Sequence, residues 1–533
     1  MTERRRLLAL YAIGLLVYGA AALRVESPGY MDADYYYATA LQLVEGQGLT
    51  EPFLWNYLDD PAGLPHISHL YWMPIPSLIS AAGMLLGEPA LRAAQPLIAA
   101  AGTLGEPAFR TAQLPFVLLA AMLPPLSAYY SHRLTRNARS AWMAGLFAAF
   151  PGFFLPFLVT IDSFAVFAIV GSLSLWLLGR SVKEPTIAKW FISGLLIGIG
   201  ALARADGLLL LGVGVLAVLW SRQRRISSSL ALAFGVLVVI GPWWARNLAE
   251  TGALLNPGSQ RLLWMLEYDD LFAFPASDLT FARWWEAGLL AAAQARLAAL
   301  STNVQRLIGE GGMIFLAPFM VIGAIRKWQH PFVRLSIVYL GSLFVVMTLI
   351  FPFVGPRGAL FHSMSAVMPL LWALAPIGIR LGILWLGAKR NWNRNEAWRV
   401  LGTSAVVLVA LMTIGLYATR FFGERDAWNA SSQTYLLVAA TIPEGDHSVV
   451  AVNNPPGYSA HSHANAVVIP SGTEQTLQKL VGSFKVGWVV LEANHPPGLN
   501  SLYADPGSAA WLTLIETIQA PDGDPVHIFK VNR

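Results

Sequence analysis

Gly29-Tyr30-Met31-Asp32-Ala33-Asp34-Tyr35-Tyr36-Tyr37 follows closely on a first apolar segment, Leu7–Leu23, which Arg4, Arg5 and Arg6 precede. Carboxylates set where a hydrophobic helix leaves a bilayer are costly unless they bind or react, so this stretch predicts a membrane bundle with a working mouth. The rest of the chain agrees. Of its 533 residues, 55% are hydrophobic and only 13% charged, against roughly 25% charged in soluble domains. Apolar blocks such as Ser227–Trp244, Arg334–Val354 and Val400–Ala418 each approach the ~20 residues that cross a ~30 Å hydrocarbon core. Cysteine is absent, which excludes disulfides, zinc–thiolate sites, iron–sulfur clusters and thiol nucleophiles.

The formal charge of +5 is distributed as the positive-inside rule requires. Arg4–Arg6, Arg133 with Arg136 and Arg139, Arg180 with Lys183 and Lys189, and Arg222 with Arg224 and Arg225 alternate with apolar spans. Arg326, Lys327 and Arg334 follow, then Lys389, Arg390, Arg394 and Arg399. This alternation gives topology as the cause of the basic clusters and predicts no nucleic-acid partner. The N-terminus resembles a signal peptide, with Ala20-Ala21-Ala22 as a cleavage region, but removal would cut just before the acidic stretch. It is expected to remain as the first helix.

With the N-terminus cytoplasmic, the first outer loop covers residues 25–72. Spans are then expected at 111–130, 141–159, 163–179, 190–203, 207–220, 227–245, 312–325, 335–354, 365–385 and 400–419, about eleven in all with the first helix. Residues 73–105 hold two short apolar stretches that end in similar phrases, Leu86-Gly87-Glu88-Pro89-Ala90 and Leu104-Gly105-Glu106-Pro107-Ala108. They read as a re-entrant pair, interfacial helices or a tight hairpin. An outer segment, 246–311, carries Phe281, Trp285, Leu289, Ala293, Leu297, Leu300, Val304 and Leu307 at helical spacing. That pattern fits an amphipathic helix at the outer interface or a helix packed on the bundle. An odd number of spans puts the C-terminus outside. There residues 443–533 read as a small soluble α/β domain, with strands at Ser448–Asn453, Ala466–Pro470, Gly487–Glu492 and Val526–Val531 and helices at Thr473–Phe484 and Ala509–Thr517. The fold class is thus an all-α polytopic membrane bundle with a C-terminal extracytoplasmic α/β domain.

The ionisable groups of note gather on the outer side: Asp32, Asp34, His66, His69, Asp162, Arg204, Asp206, Arg246, Arg357 and His362. Acids and arginines on one face suit an anionic, partly lipidic substrate, because guanidinium binds phosphate through directed hydrogen bonds and a carboxylate can take a proton from a hydroxyl. Each also has a plain structural reading. Asp32 and Asp34 could be solvated loop acids, Arg246 beside Trp243-Trp244 an interfacial anchor, and Asp162 a helix cap. His66-Ile67-Ser68-His69 has metal-compatible spacing, but two histidines make no site.

Four phrases resemble the GT-C superfamily of membrane glycosyltransferases, in particular the family-39-like group of protein mannosyltransferases and aminoarabinose transferases. Asp32-Ala33-Asp34-Tyr35-Tyr36, followed by Ala40 and Glu45-Gly46-Gln47-Gly48, is similar to the family's Asp-Glu-x-x-Tyr loop, with Ala33 in place of its usual Glu. Leu202-Ala203-Arg204-Ala205-Asp206-Gly207 resembles its Leu-x-Arg-x-(Asp/Glu)-Gly turn. Pro242-Trp243-Trp244-Ala245-Arg246-Asn247 resembles its Pro-Trp-x-x-Arg-Asn phrase, and Arg357-Gly358-Ala359-Leu360-Phe361-His362 replaces its Arg-Tyr. The resemblance covers roughly residues 7–420, within the transmembrane module of residues 1–420.

It implies inverting transfer of a sugar from a polyprenyl-phosphate donor to a hydroxyl-bearing lipid, glycan or protein acceptor outside the cell membrane. Asp32 falls on the family's catalytic base; Asp34, one residue past the missing Glu, and Asp162 are further catalytic candidates. Arg204, Arg246 and Arg357 are candidates for the donor phosphate, with His69 and His362 as hydrogen-bond donors to it. No cofactor is fixed; a divalent cation is the one left open. The other readings are a transporter or flippase of a lipid-linked precursor, although large repeats are missing, and a non-catalytic relative that binds a lipid or partner.

Overall fold

A computed structural model describes residues 2–87, 106–221, 224–422, 428–443 and 445–532. Helices dominate the first 421 residues and a single larger sheet the last 85 or so. Among the described residues, seven helices are long and apolar enough to cross a membrane. They are Glu3–Ala22, Pro107–Thr135, Ser163–Lys183, Arg225–Thr251, Pro331–Ile350, Gly355–Arg390 and Arg394–Phe421. Ala138–Ala149 and Gly152–Leu158, bent by 47° around Pro151, make an eighth if the pair counts as one span. This is a multi-pass membrane protein.

The remaining expected spans, 190–203, 207–220 and 312–325, fall on shorter helices: Ile187–Ala203, Ala205–Ser221 and Ala317–Lys327. At about 1.5 Å per residue a 17-residue helix reaches only about 25 Å, so eleven spans require these short helices to cross as well. Of residues 73–105, Ile75–Gly87 is a short apolar helix; the second apolar stretch, 93–104, and most of the first of the two similar phrases lie outside the described residues.

The opening acidic stretch is not a loop. It is the start of a helix, Met31–Val44, with Asp32 and Asp34 in its first turn, where the helix dipole favours negative charge. The 281–307 pattern is helical too, as Phe281–Glu286 and Gly288–Arg306. Phe281, Trp285, Leu289, Leu290 and Leu297 are each more than half exposed along it. That face is exposed, while Ala299 and Asn303 on the same helix are buried and Asn303 Nδ2 donates to the Met347 carbonyl at 3.2 Å, so the helix packs on the bundle along its other side.

The sheet at the C-terminal end holds six strands: β1 (Thr50–Glu51) and β3 (His66–Ile67) form a separate antiparallel pair, whereas β2 (Phe53–Leu54) joins the large sheet. With β4 (Val449–Val452), β5 (Ala466–Val468), β6 (Val486–Leu491), β7 (Leu512–Gln519) and β8 (Pro525–Val531), the order is β2-β5-β4-β6-β8-β7. The first four are mutually parallel, with Phe53 opposite Ala466 and Val450 opposite the same Ala466. The helices Pro455–Ser462 and Glu474–Phe484 supply the crossovers that parallel strands need. Residues 25–72 therefore lend an edge strand to the C-terminal domain, which does not stand apart from the bundle. One expected helix, Ala509–Thr517, is strand β7. Its run Leu512-Thr513-Leu514-Ile515-Glu516-Thr517-Ile518 is rich in β-branched residues, and Asp522-Gly523 closes the hairpin to β8.

Candidate active site

A cavity of about 1000 Å³ lies between the bundle and the sheet. Its bundle side presents Asp32, Tyr36, Arg204, Asp206, Arg357 and His362, and its sheet side Asn453, Ser471, Asn494 and His495. The volume stands at the top of the range for small-molecule sites, enough for more than one substrate.

The helix Ser163–Lys183 begins at Asp162, whose Oδ1 accepts from the Ser163 backbone N–H and, at 2.8 Å, from Ser163 Oγ. The expected cap is therefore present, and the other oxygen is held within the site. Oδ2 accepts from Tyr30 Oη and, at 3.1 Å, from His362 Nε2. His362 Nδ1 lies 2.9 Å from the Gly358 carbonyl oxygen. Both partners are oxygens that only accept, and the ring bridges them. Its Nε2 is also 3.8 Å from Asp32 Oδ2. His362 thus stands between two carboxylates, one buried at 1% side-chain exposure and one 32% exposed to the cavity. Burial works to raise the Asp162 carboxyl, but His362, Tyr30 and Ser163 outweigh it and hold the group below the usual range. Asp32 goes the other way: burial pushes it up, Asp162 adds to that, and His362 and Arg204 oppose it without reversing the shift.

Arg204 occupies the break between Ile187–Ala203 and the following short helix, in extended backbone (φ −151°, ψ 134°). Gly207 is needed there, since a Cβ would come within 2.5 Å of the Gly200 carbonyl oxygen. The guanidinium donates from Nε to Asp206 Oδ1 at 3.1 Å and to Ser363 Oγ at 2.9 Å, and from Nη1 to Ser163 Oγ at 3.3 Å. Ser363 Oγ in turn donates to Asp206. Most of Arg204's donors are therefore committed to joining three helix ends. Arg357 is different. It lies in the π-helical turn Gly355–Ala359, where Gly358 adopts φ +138°, and its guanidinium stacks 4.7 Å from the Tyr268 ring centre. Arg420, in the last turn of Arg394–Phe421, lines the same cavity against the Phe157 ring. Among the described residues neither arginine has an ion-pair partner within 4 Å. Arg306 and Glu310 also line the cavity, as an ion pair at 2.5 Å.

Asp34, Arg246 and His69 lie elsewhere. Residues two apart on a helix face different ways, so Asp34 points from the Asp32 helix into the C-terminal domain, where its Oδ2 accepts from Asn454 Nδ2 at 2.7 Å. It is 5% exposed, and burial raises its carboxyl to about 7, partly offset by Asn454. Arg246 Nη2 donates to the carbonyls of Ser68 (2.9 Å) and Leu49 (3.2 Å), with the guanidinium over the Trp243 ring. His69 is fully buried, its ring bonded to Ser68 Oγ at 2.7 Å and Ser77 Oγ at 2.9 Å. Burial, with Arg246 nearby, lowers it to about 3. His66 turns away to Asp59 at 3.1 Å and Glu51 at 3.6 Å, so the two histidines do not share a site.

Residues 97–245 match the dolichyl-phosphate-mannose-protein mannosyltransferase family. Among solved structures, the chain is similar to ArnT from Cupriavidus metallidurans bound to undecaprenyl phosphate, with TM-score 0.57, 12% identity, and coverage of 98% of this chain and 97% of that one. It is also similar to the Archaeoglobus fulgidus oligosaccharyltransferase in the apo form and, as AglB, in complex with an inhibitory peptide and a dolichol-phosphate. Their TM-scores are 0.54 and 0.53 at 12% identity, over 91% of this chain and 69% of theirs. The chain shares the fold of these membrane glycosyltransferases, and residues 97–245 carry the mannosyltransferase family's pattern. No curated protein sequence matches it.

Sequence reading had not singled out two cavity residues, Arg420 and the Tyr30 hydroxyl. A signal for the first was present: Arg420 is a lone cation at the end of a 28-residue apolar helix, and such charges are seldom idle.

Proposed function

We propose that the protein transfers a sugar from a polyprenyl-phosphate donor to a hydroxyl-bearing acceptor, with inversion, on the outer side of the cell membrane. The arrangement of Asp32, His362 and Asp162 at a cavity that also holds two arginines without ion-pair partners among the described residues carries this reading. Asp32 is the base. A carboxyl raised by burial is a stronger base than an ordinary one and is better matched to a hydroxyl near neutral pH. Its oxygen takes the acceptor O–H proton as the acceptor oxygen forms a bond to the anomeric carbon. The bond from that carbon to the phosphate oxygen breaks, and the polyprenyl phosphate leaves with the electron pair.

Arg357 and Arg420 face the developing phosphate charge, since their guanidinium donors are held over aromatic rings and not in ion pairs. Arg204 holds the helix break and the Ser363 turn in place, one step removed from the substrate. Asp162 orients His362, and His362 keeps Asp32 aimed into the cavity. Asp34, Arg246 and His69 act through structure: they fasten the Asp32 helix and the first loop to the C-terminal domain and to the Arg225–Thr251 helix.

In this orientation the N-terminus is cytoplasmic, and the C-terminal domain and the exposed 281–306 helices lie on the outer face. A panel of polyprenyl-phosphate sugars offered to the purified protein tests the reading. Release of polyprenyl phosphate from at least one donor, with inverted configuration in the product, is expected. Vectorial movement of an intact donor across vesicles, without cleavage, would establish the flippase reading instead.

A further inference from the structure

We infer that the crevice at the carboxyl ends of the parallel strands is the acceptor subsite, and that it takes an uncharged, hydroxyl-rich carbohydrate. The inference deepens the transferase reading and rests on it for the word acceptor; the binding site itself does not.

In order along the sheet, β5-β4-β6 places the first strand of the domain between the second and the third. The chain leaves β4 toward one side for β5, then crosses back to the other side for β6. The β4/β6 boundary is therefore a topological switch point, where the outgoing loops part and open a crevice at the strands' carboxyl ends. In this protein that crevice opens into the active-site cavity: Asn453 follows β4 directly, and Asn494 lies just beyond β6. Asn453 Nδ2 donates to the Asn494 carbonyl, which bridges the switch point, and both residues line the cavity. Ser471, after β5, adds a hydroxyl.

The fourth parallel strand gives the crevice its side wall. β2 comes from the first loop, and the residue after it, Trp55, is stacked on Trp72 at 3.8 Å between ring centres and 11° between planes. Both indoles line the cavity. Two amides, a hydroxyl and a flat aromatic wall match a sugar, whose hydroxyls both donate and accept and whose ring has an apolar C–H face. Among the described residues no Arg or Lys of the C-terminal domain lines the cavity and His495 is the one titratable group it contributes, so the subsite suits a phosphate or other anion less than the bundle side with Arg357 and Arg420. The charge difference divides the cavity: the anionic donor belongs below, the neutral acceptor above.

The test is ligand-detected NMR on the full chain in lipid nanodiscs with polyprenyl phosphate present. The probes are neutral methyl glycosides and their disaccharides, a sugar 1-phosphate and a Ser/Thr peptide. Neutral glycosides should bind, and Asn453→Ala with Asn494→Ala should weaken that binding at least tenfold while polyprenyl-phosphate affinity stays within twofold. The single variant Asn494→Ala, at an exposed position, should show part of the loss with an unchanged unfolding temperature. The subsite is refuted if no neutral glycoside binds, if binding is the same in the variants, or if the sugar phosphate or peptide binds more tightly. Donor cleavage measured on the same samples reports separately. Glycoside binding without cleavage of any donor would leave the subsite standing and remove the transferase reading.

Discussion

Asp32 and Asp34 are two residues apart on one helix, yet they belong to different parts of the molecule. Asp32 looks into the cavity, partly exposed, 3.8 Å from His362. Asp34 looks away, nearly inaccessible, held by Asn454 of the C-terminal domain. Both carboxyls are raised by burial, so an elevated pKa alone does not distinguish a base from a fastener. What distinguishes them is access: one has space for a substrate beside it, the other has protein on every side. The same contrast separates Arg357 and Arg420, held over rings at the cavity, from Arg246, whose donors are used on backbone carbonyls.

That contrast can be broken by substitution. Arg357→Ala with Arg420→Ala should lower kcat/KM for the donor by about 10²- to 10³-fold, as loss of charge stabilisation in a preorganised site does. Arg246→Lys should cost less than tenfold; steady-state kinetics on both variants would show whether the division of arginines is right. His362→Gln keeps one hydrogen bond to Asp162 but loses the ring that stands between the acids. It should lower kcat by roughly 10²-fold, with donor KM little changed.

A subtler prediction concerns stability. The folded Asp34 pKa is about 7, above its unfolded value, so the folded state binds this proton more tightly. The associated stability is fully present below the unfolded value of about 4 and is lost as pH rises through about 7. At full effect the shift corresponds to about 4 kcal/mol, an upper bound. Wild type should therefore lose thermal stability between pH 5.5 and 8 more steeply than Asp34→Asn, whose amide carries no charge at either pH. Identical slopes would remove Asp34 from the seam. The smallest expected effect is that of chelation: EDTA should leave donor cleavage within twofold of its value in added Mg²⁺.

Much of this was legible in the sequence. The span pattern, the parallel strands β4 to β6, and the Asp32, Asp162, Arg204, Arg357 and His362 set could be read because apolar length, β-branched runs and unpaired intramembrane charges have strong physical signatures. Other features were not readable. That Met31–Val44 is a helix, which sends Asp34 away from Asp32, depends on a dipole and packing that a nine-residue stretch does not display. That Phe53-Leu54 pairs with Ala466-Val467 is a contact across more than 400 residues, and a two-residue strand carries no periodicity. Ala509–Thr517 failed as a helix because the β7 strand is half exposed, so its burial pattern is set by the hairpin partner and not by its own composition.

Asp32→Asn and Asp34→Asn, measured side by side for donor cleavage and for polyprenyl-phosphate binding, set the two acids against each other. The expected result is a loss of about 10³-fold in turnover for Asp32→Asn with binding retained, and a change below about threefold for Asp34→Asn. Equal turnover in the two variants, or loss confined to Asp34→Asn, would contradict the assignment of Asp32 as the base.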